Sequence, residues 1–293
     1  MAHNHLEPVV PAGDGGLVRL RLDLSYDGCD FAGWAIQPGQ RTVQGVLEAA
    51  LGTIFRTEAV RTVVAGRTDA GVHAVGQVAH CELAADRWAA ERSRIVRRLA
   101  GVLPADLRVY AVSEVSTDFD ARFSALWRSY RYRICDSDTG PDPLRRHDTV
   151  HWRRSLDASA MQQAGQGLLG LHDFAAFCRR RDGATTVRQL QQLSVHREQD
   201  LIVVQARADA FCHSMVRSLV GALAAVGDGR RAVDWPAQLL QLGHRSDEVT
   251  VAPPHGLALV EVGYPPPDQL AARAAGTRTL RTLEIGRSAP VSR

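Results

Sequence analysis

The chain contains no lysine, and all 35 of its basic residues are arginine. A lysine Schiff-base mechanism and the lysine of a P-loop are thereby excluded. All-arginine usage is what a biased genome composition produces, although arginine also suits planar, bidentate phosphate recognition. Long apolar runs are also missing, and none comes near the length that spans a bilayer. The N-terminal stretch Met1 to Gly16 has no basic segment followed by an apolar one, so it does not read as a secretory signal, and a cytoplasmic location is expected. Cysteine is sparse: Cys29, Cys81, Cys135, Cys178 and Cys212 are an odd set, separated by 52, 54, 43 and 34 residues, with no C-x-x-C pair. Neither a disulfide framework nor a zinc site is suggested. The sequence has no G-x-S-x-G, H-E-x-x-H or Walker A motif, so serine hydrolases, zincins and P-loop enzymes lose their usual support.

What remains is an ordinary globular composition: 293 residues, 45% hydrophobic and 23% charged, which is enough for two modest domains or one large one. The net charge of +3 is unevenly placed. Residues 1–115 hold 12 Arg against 13 acids, whereas residues 116–293 hold 23 against 19. The segment Ala121 to Cys135 carries Arg122, Arg128, Arg131 and Arg133 with no acid, a local basic patch of the kind that grips nucleic acid or, more commonly, a solvated face.

Periodicity orders the chain. Leu17 to Ser25 alternates as a half-buried strand, and Thr42 can cap a helix whose apolar residues run Val43, Val46, Leu47, Ala50, Leu51 and Ile54. Strands are expected at Val60–Ala65, His73–Leu83 and Leu107–Val115, with a helix over Arg87–Ala100. The order β-α-β-β-α-β then repeats with insertions. Strands are expected at Trp127–Cys135, Thr149–Trp152, Val187–Glu198, Leu201–Asp209 and Leu257–Val262, and helices at Asp157–Leu168 and His213–Val226. Two split-βαβ units of the ferredoxin-like kind imply an α+β fold whose two sheets can join with a cleft between them. The expected organisation is a flexible extension at 1–16, an N-terminal half at 17–115, a C-terminal half at 116–264 and a flexible tail at 265–293.

Gly165, Gly167 and Gly170 spell G-x-G-x-x-G, but they end a helical pattern instead of opening one after a strand, so they read as a helix C-cap. The loop Gly66-Arg67-Thr68-Asp69-Ala70-Gly71-Val72-His73 is more informative. Its small residues can thrust Asp69 and Arg67 out between two strands. An ionised aspartate there can be a nucleophile, a base or a metal ligand; the alternative is an Asx-turn that organises only its own loop. A metal site is the weaker reading, because no second carboxylate or histidine stands at a matching short spacing. In the second half, Tyr130 and Tyr132 share one face of a strand and Arg131 and Arg133 the other, a pattern that suits base stacking or simply a core. Arg217 interrupts the apolar pattern of Met215, Val216, Leu219, Val220 and Leu223, so it either meets a buried carboxylate or snorkels to solvent.

Together these residues resemble the tRNA pseudouridine synthase A family over roughly Leu17 to Tyr264. The likeness is carried by Tyr26-Asp27-Gly28, the stretch Phe31 to Gln37, Thr42 to Gly45, the loop from Gly66 to His80, Phe119 to Ala125, Ser129 to Tyr132, His172 to Phe177, Phe211 to Arg217 and Gly256-Leu257. The resemblance implies one bent mixed β-sheet of two ferredoxin-like halves, helices on one face, and an RNA-binding cleft between the halves. It implies isomerisation of uridines 38, 39 and 40 of the tRNA anticodon arm to pseudouridine by a homodimer without cofactor or metal. It makes Asp69 the catalytic aspartate, Tyr130 the ring stacked on the target base, Arg217 the partner of Asp69 and Leu257 apolar packing beside the uracil. Arg67 would help hold the flipped nucleotide. Arg122, Arg128, Arg179, Arg180 and Arg181 become phosphate-contact candidates, and Phe123 a further substrate-binding candidate. Cys212 and Ser214 depart from the family's usual larger residues, and the block holding Arg179 to Arg181 is variable there. The rival classes are a non-catalytic RNA-binding protein, which here lacks an RNP1-like aromatic motif, a metal-dependent aspartate hydrolase, and a pseudouridine synthase with another RNA target.

Overall fold

A computed structural model describes residues 16–58, 60–179 and 185–278. β1 (Leu17–Tyr26) buries every second side chain, Leu20, Leu22, Leu24 and Tyr26, as its alternation requires. α1 (Val43–Phe55) starts where the Thr42 hydroxyl accepts the Gly45 N–H at 3.3 Å, and it ends on Arg56 in the left-handed region. β2 (Thr62–Val64) is short and pairs with the long β3 (His73–Ala84).

The single helix expected over Arg87–Ala100 is two, α2 (Ala85–Glu91) and α3 (Ile95–Val102). Between the buried anchors Trp88 and Ile95 the chain offers only Arg92, Ser93 and Arg94 at the break, with no apolar residue to hold that turn on the core. β4 (Leu107–Val115) closes this half.

The second half opens with β5 (Trp127–Cys135), carries the two-residue β6 (Val150–His151) beside it, and continues to α4 (Ala158–Gln166), capped by the Asp157 carboxylate on the Ser159 and Ala160 N–H groups. The glycine-rich stretch does end this helix, but Gly170 then opens an unexpected strand, β7 (Gly170–Asp173). β7 has no apolar alternation of its own and forms as the edge partner of β8 (Val187–Glu198). β9 (Leu201–Ala208), α5 (Met215–Gly227), the short α6 (Trp235–Leu239), β10 (Leu257–Gly263) and α7 (Leu270–Arg278) follow.

The loose tail expected from Pro265 does not begin there. Leu270 and Ala274, one turn apart, are both buried, the Leu270 carbonyl accepts the Ser124 hydroxyl, and Arg273 donates twice to the Ala125 carbonyl at 3.1 Å. Residues 1–15 and 279–293 lie outside the described residues.

All ten strands form one mixed sheet in the order β4-β1-β3-β10-β5-β9-β8-β7, with β2 on β3 and β6 on β5. The two halves meet where β3 and β10 run parallel, pairing His73 with Ala258 and Ala74 with Leu259. Close approach at this seam requires glycine at position 76, since a Cβ there would lie 2.3 Å from the Val260 carbonyl oxygen. The seam brings the β2–β3 loop of one half against the β5, α5 and β10 side chains of the other.

Candidate active site

The loop from Gly66 to Val72 is pinned from beneath by the segment that follows β1. Trp34 N–H donates to the Thr68 carbonyl at 3.1 Å and Gly71 N–H to the Phe31 carbonyl at 3.3 Å. Gly28 lies so close that a Cβ would meet the Val72 carbonyl oxygen at 2.1 Å. The Tyr26 hydroxyl shares a hydrogen bond with Thr68 Oγ1 at 2.8 Å and accepts from Gln77 Nε2, which also donates to the Gly66 carbonyl at 2.8 Å. Burial pushes the Tyr26 hydroxyl up to about 12, against the smaller opposing effect of these bonds, so it stays a neutral strut. Val72 N–H closes the turn onto the Asp69 carbonyl at 3.2 Å.

The Asp69 carboxylate projects from this frame. Among the described residues it takes no side-chain hydrogen bond from its own loop, which sets aside the Asx-turn alternative. It faces α5 instead: Arg217 Nη1 stands 3.6 Å from Oδ2, and His213 Nε2 stands 3.2 Å from Oδ1. Arg217 does not snorkel. Its Nε donates to the Ala252 carbonyl at 2.7 Å and its own carbonyl accepts Ala252 N–H, locking the start of α5 to the strand-side loop before β10.

Tyr130 is buried on β5, its ring edge-to-face with Phe211 at 5.1 Å between centroids. Burial holds its hydroxyl well above the ordinary tyrosine range. Leu257, at the start of β10, is also buried.

A cleft of about 500 Å³ collects these side chains. Arg67, Asp69, Tyr130, Arg217 and Leu257 all line it, as do Arg122, Phe123 and Arg179 around its mouth. Arg67, Arg122 and Arg179 are exposed, with the Arg122 guanidinium 5.0 Å from the Phe123 ring centroid. Arg180 and Arg181 lie outside the described residues.

Arg128 needs correction as a phosphate-contact candidate. Only 6% exposed, it donates to the carbonyls of Ala65 (2.8 and 3.2 Å), Asp209 (2.8 Å) and Arg122 (2.5 Å). Its guanidinium is committed to backbone, and because Ala65 immediately precedes the Asp69 loop, it stitches the two halves together beneath that loop. The signal was present in the strand period, which puts residue 128 on the buried face of Tyr130 and Tyr132.

Sequence reasoning also missed His213: it lies just before α5, past the left-handed Ser214, and only that turn, which no local pattern announces, brings it to Asp69 beside Arg217. The cysteine reading is corrected as well: Cys178 and Cys212 are paired, with Cα atoms 5.8 Å apart. Nothing in their separation announces this, since it depends on the 3-10 turn at Ala175–Phe177 packing against the approach to α5. Away from the cleft, Asp27, Cys29 and His73 bring three possible metal-donor atoms within 4.8 Å, but Cys29 N–H already occupies Asp27 Oδ1 and Gly28 N–H occupies His73 Nδ1.

Comparison with known proteins gives this geometry a context. A family model described as tRNA pseudouridine synthase matches residues 24–124 and 164–265; the unmatched 125–163 includes Tyr130. A Frankia casuarinae protein named tRNA pseudouridine synthase A is 59% identical over 267 residues, covering 91% of this chain and 96% of its own. Relatives of the same name from Streptomyces avermitilis (53% identity, 92% of this chain and 95% of theirs) and Mycobacterium leprae (51%, 90% and 96%) are nearly as similar. A model match over two-thirds of the chain, with relatives more than half identical over at least 90% of it, places this protein in the tRNA pseudouridine synthase family.

Proposed function

We propose that this chain isomerises uridine to pseudouridine in the anticodon stem-loop of tRNA, at positions 38, 39 and 40, and that it does so in the cytoplasm as a homodimer without cofactor or metal. The observation that carries the reading is the Asp69 carboxylate, presented on a pinned loop to a cleft of about 500 Å³, with Arg217 at one oxygen. The names of the relatives, tRNA pseudouridine synthase A, supply the substrate class. No helix among the described residues is long and apolar enough to cross a membrane.

The reaction breaks the bond between ribose C1′ and uracil N1, turns the base, and rejoins it through C5. A stacked base has no room to turn, so the nucleotide is extruded into the cleft. Asp69 then acts in one of three ways: attack on C1′, attack on C6, or removal of a ribose proton to give a glycal. In each, the step needs a carboxylate, and the Arg217 guanidinium stands 3.6 Å from one of its oxygens. Tyr130 offers its ring face to the uracil. Its buried hydroxyl stays protonated at working pH, so stacking suits it better than proton abstraction by a phenolate. Leu257 closes the apolar side of the pocket. Arg67, Arg122 and Arg179, exposed at the mouth, are suited to phosphates, since the A-form major groove is too deep and narrow for side chains to read.

Tritium release from tRNA labelled at uridine C5 tests this directly, because forming the new bond expels that hydrogen. Wild type is expected to release tritium in the presence of a chelator, and Asp69→Asn to be slower by roughly 10³-fold or more while binding tRNA within about twofold. Release undiminished in Asp69→Asn removes the aspartate from the chemistry. No release by either protein, with tRNA still bound, points to a binding protein, and activity lost to the chelator points to a metal-dependent enzyme. Transcripts carrying a single uridine at 38, 39 or 40 settle the positions, and sedimentation the dimer.

A further inference from the structure

We propose that His213 is a positioning residue for Asp69, fixing the plane of a carboxylate that Arg217 by itself leaves free to turn. This rests on the reading of Asp69 as the reacting group. Arg217 is a distant partner: its Nη1 lies 3.6 Å from Oδ2, beyond hydrogen-bond range, and its Nε is committed to the Ala252 carbonyl. Rotation about the aspartate Cβ–Cγ bond is soft, so one such contact does not fix the orientation of the group. His213 Nε2 stands 3.2 Å from the other oxygen. One contact at each oxygen defines the plane, and with it the direction from which the carboxylate approaches a nucleotide.

The chain goes to some length to put His213 there. Ser214, between His213 and the first residue of α5, has φ of 64°, a left-handed conformation unfavourable for any residue with a Cβ. That turn takes His213 out of the helix path and back toward the Asp69 loop. The backbone is then held on both sides: the His213 carbonyl accepts Arg179 N–H at 3.1 Å, and neighbouring Cys212 is tied to Cys178. The imidazole is not placed for its own satisfaction, because Nδ1 is buried and finds no hydrogen-bond partner among the described residues. A strained turn, a doubly anchored backbone and an unsatisfied ring nitrogen, all converging on one carboxylate oxygen, are the marks of a position held for function.

The test separates orientation from binding and from folding. Single-turnover tritium release at saturating enzyme and tRNA affinity by filter binding are measured for wild type, His213→Leu and His213→Gln. With the carboxylate free to turn, His213→Leu is expected to release tritium about 30-fold more slowly with tRNA affinity changed less than about twofold. His213→Gln, which retains an N–H of similar reach, is expected to recover to within about fivefold of wild type. The proposal is overturned by His213→Leu staying within about threefold of wild type, by His213→Gln being as slow as His213→Leu, or by a loss of affinity that matches the loss of rate. Should His213→Leu fail to melt cooperatively, His213→Asn, whose amide falls short of Asp69, takes its place against His213→Gln. A silent wild type is a different result: it refutes the proposed function itself.

Discussion

In the N-terminal half β4, β1, β3 and β2 lie side by side, and in the C-terminal half β10, β5, β9 and β8 repeat that order. From this shared plan the halves contribute to the cleft differently. The first delivers one carboxylate on a loop, and the loop keeps its shape through backbone hydrogen bonds to the Gly28–Trp34 segment and through the Tyr26–Gln77 pair below it. The second delivers Tyr130, Arg217 and Leu257 from a strand, a helix and the first residue of another strand, where the element's own hydrogen bonds set the direction of the side chain. A reactive charge that must stay reachable suits a loop, but only one whose backbone is held by its neighbours; the ring, the guanidinium and the apolar wall around it come from regular elements, while His213 reaches it from the turn just before α5.

The sharpest way to break this division is to cut the stitch between the halves. Arg128→Met leaves the buried carbonyls of Ala65, Asp209 and Arg122 without their donor, and a loss of about 3 to 5 kcal/mol is expected in urea unfolding. If Arg128 were instead a phosphate ligand, the same change would spare stability and weaken tRNA binding. A smaller perturbation confined to the loop is Gly28→Ala. Its new methyl group meets the Val72 carbonyl, so a cost of about 1 to 3 kcal/mol is expected, with tritium release reduced more than tRNA affinity. An unaffected melting temperature would mean that the loop yields and is not pinned. The mildest effect is expected from Arg179→Ala, which keeps the backbone N–H that the His213 carbonyl accepts: folding is unchanged, affinity falls modestly, and the slope of log affinity against log salt flattens by about one. An unaltered slope would remove Arg179 from the RNA-binding surface.

Much of this was legible along the chain. The ends of β4, β5 and β8 fall where alternation placed them, because a half-buried strand must repeat every two residues. The Asp69 loop stood out through its glycines, and Arg217 as a charge in an apolar helical stripe. Less legible were features that depend on a neighbour distant in sequence. β7 is a strand because β8 offers an edge, and α7 packs by burying Leu270 and Ala274 and by bonding the Ser124 hydroxyl and the Ala125 carbonyl. The Cys178–Cys212 pair needs two loops to converge. Arg128 shows the limit most clearly. Its strand period announced a buried face, yet its charge suggested solvent, and only the three carbonyls around it decide between them.

The sequence by itself determined the repeated β-α-β-β-α-β order, the small-residue loop that exposes Asp69, and the aromatic and basic residues able to serve it, because periodicity and backbone freedom are local properties. Tertiary structure alone decided that the two halves join through β3 and β10, and that the seam brings Asp69 to Arg217 and His213. The physical reason is range: contacts 144 and 148 residues apart along the chain are set by how two sheets pack, and no local pattern encodes that distance.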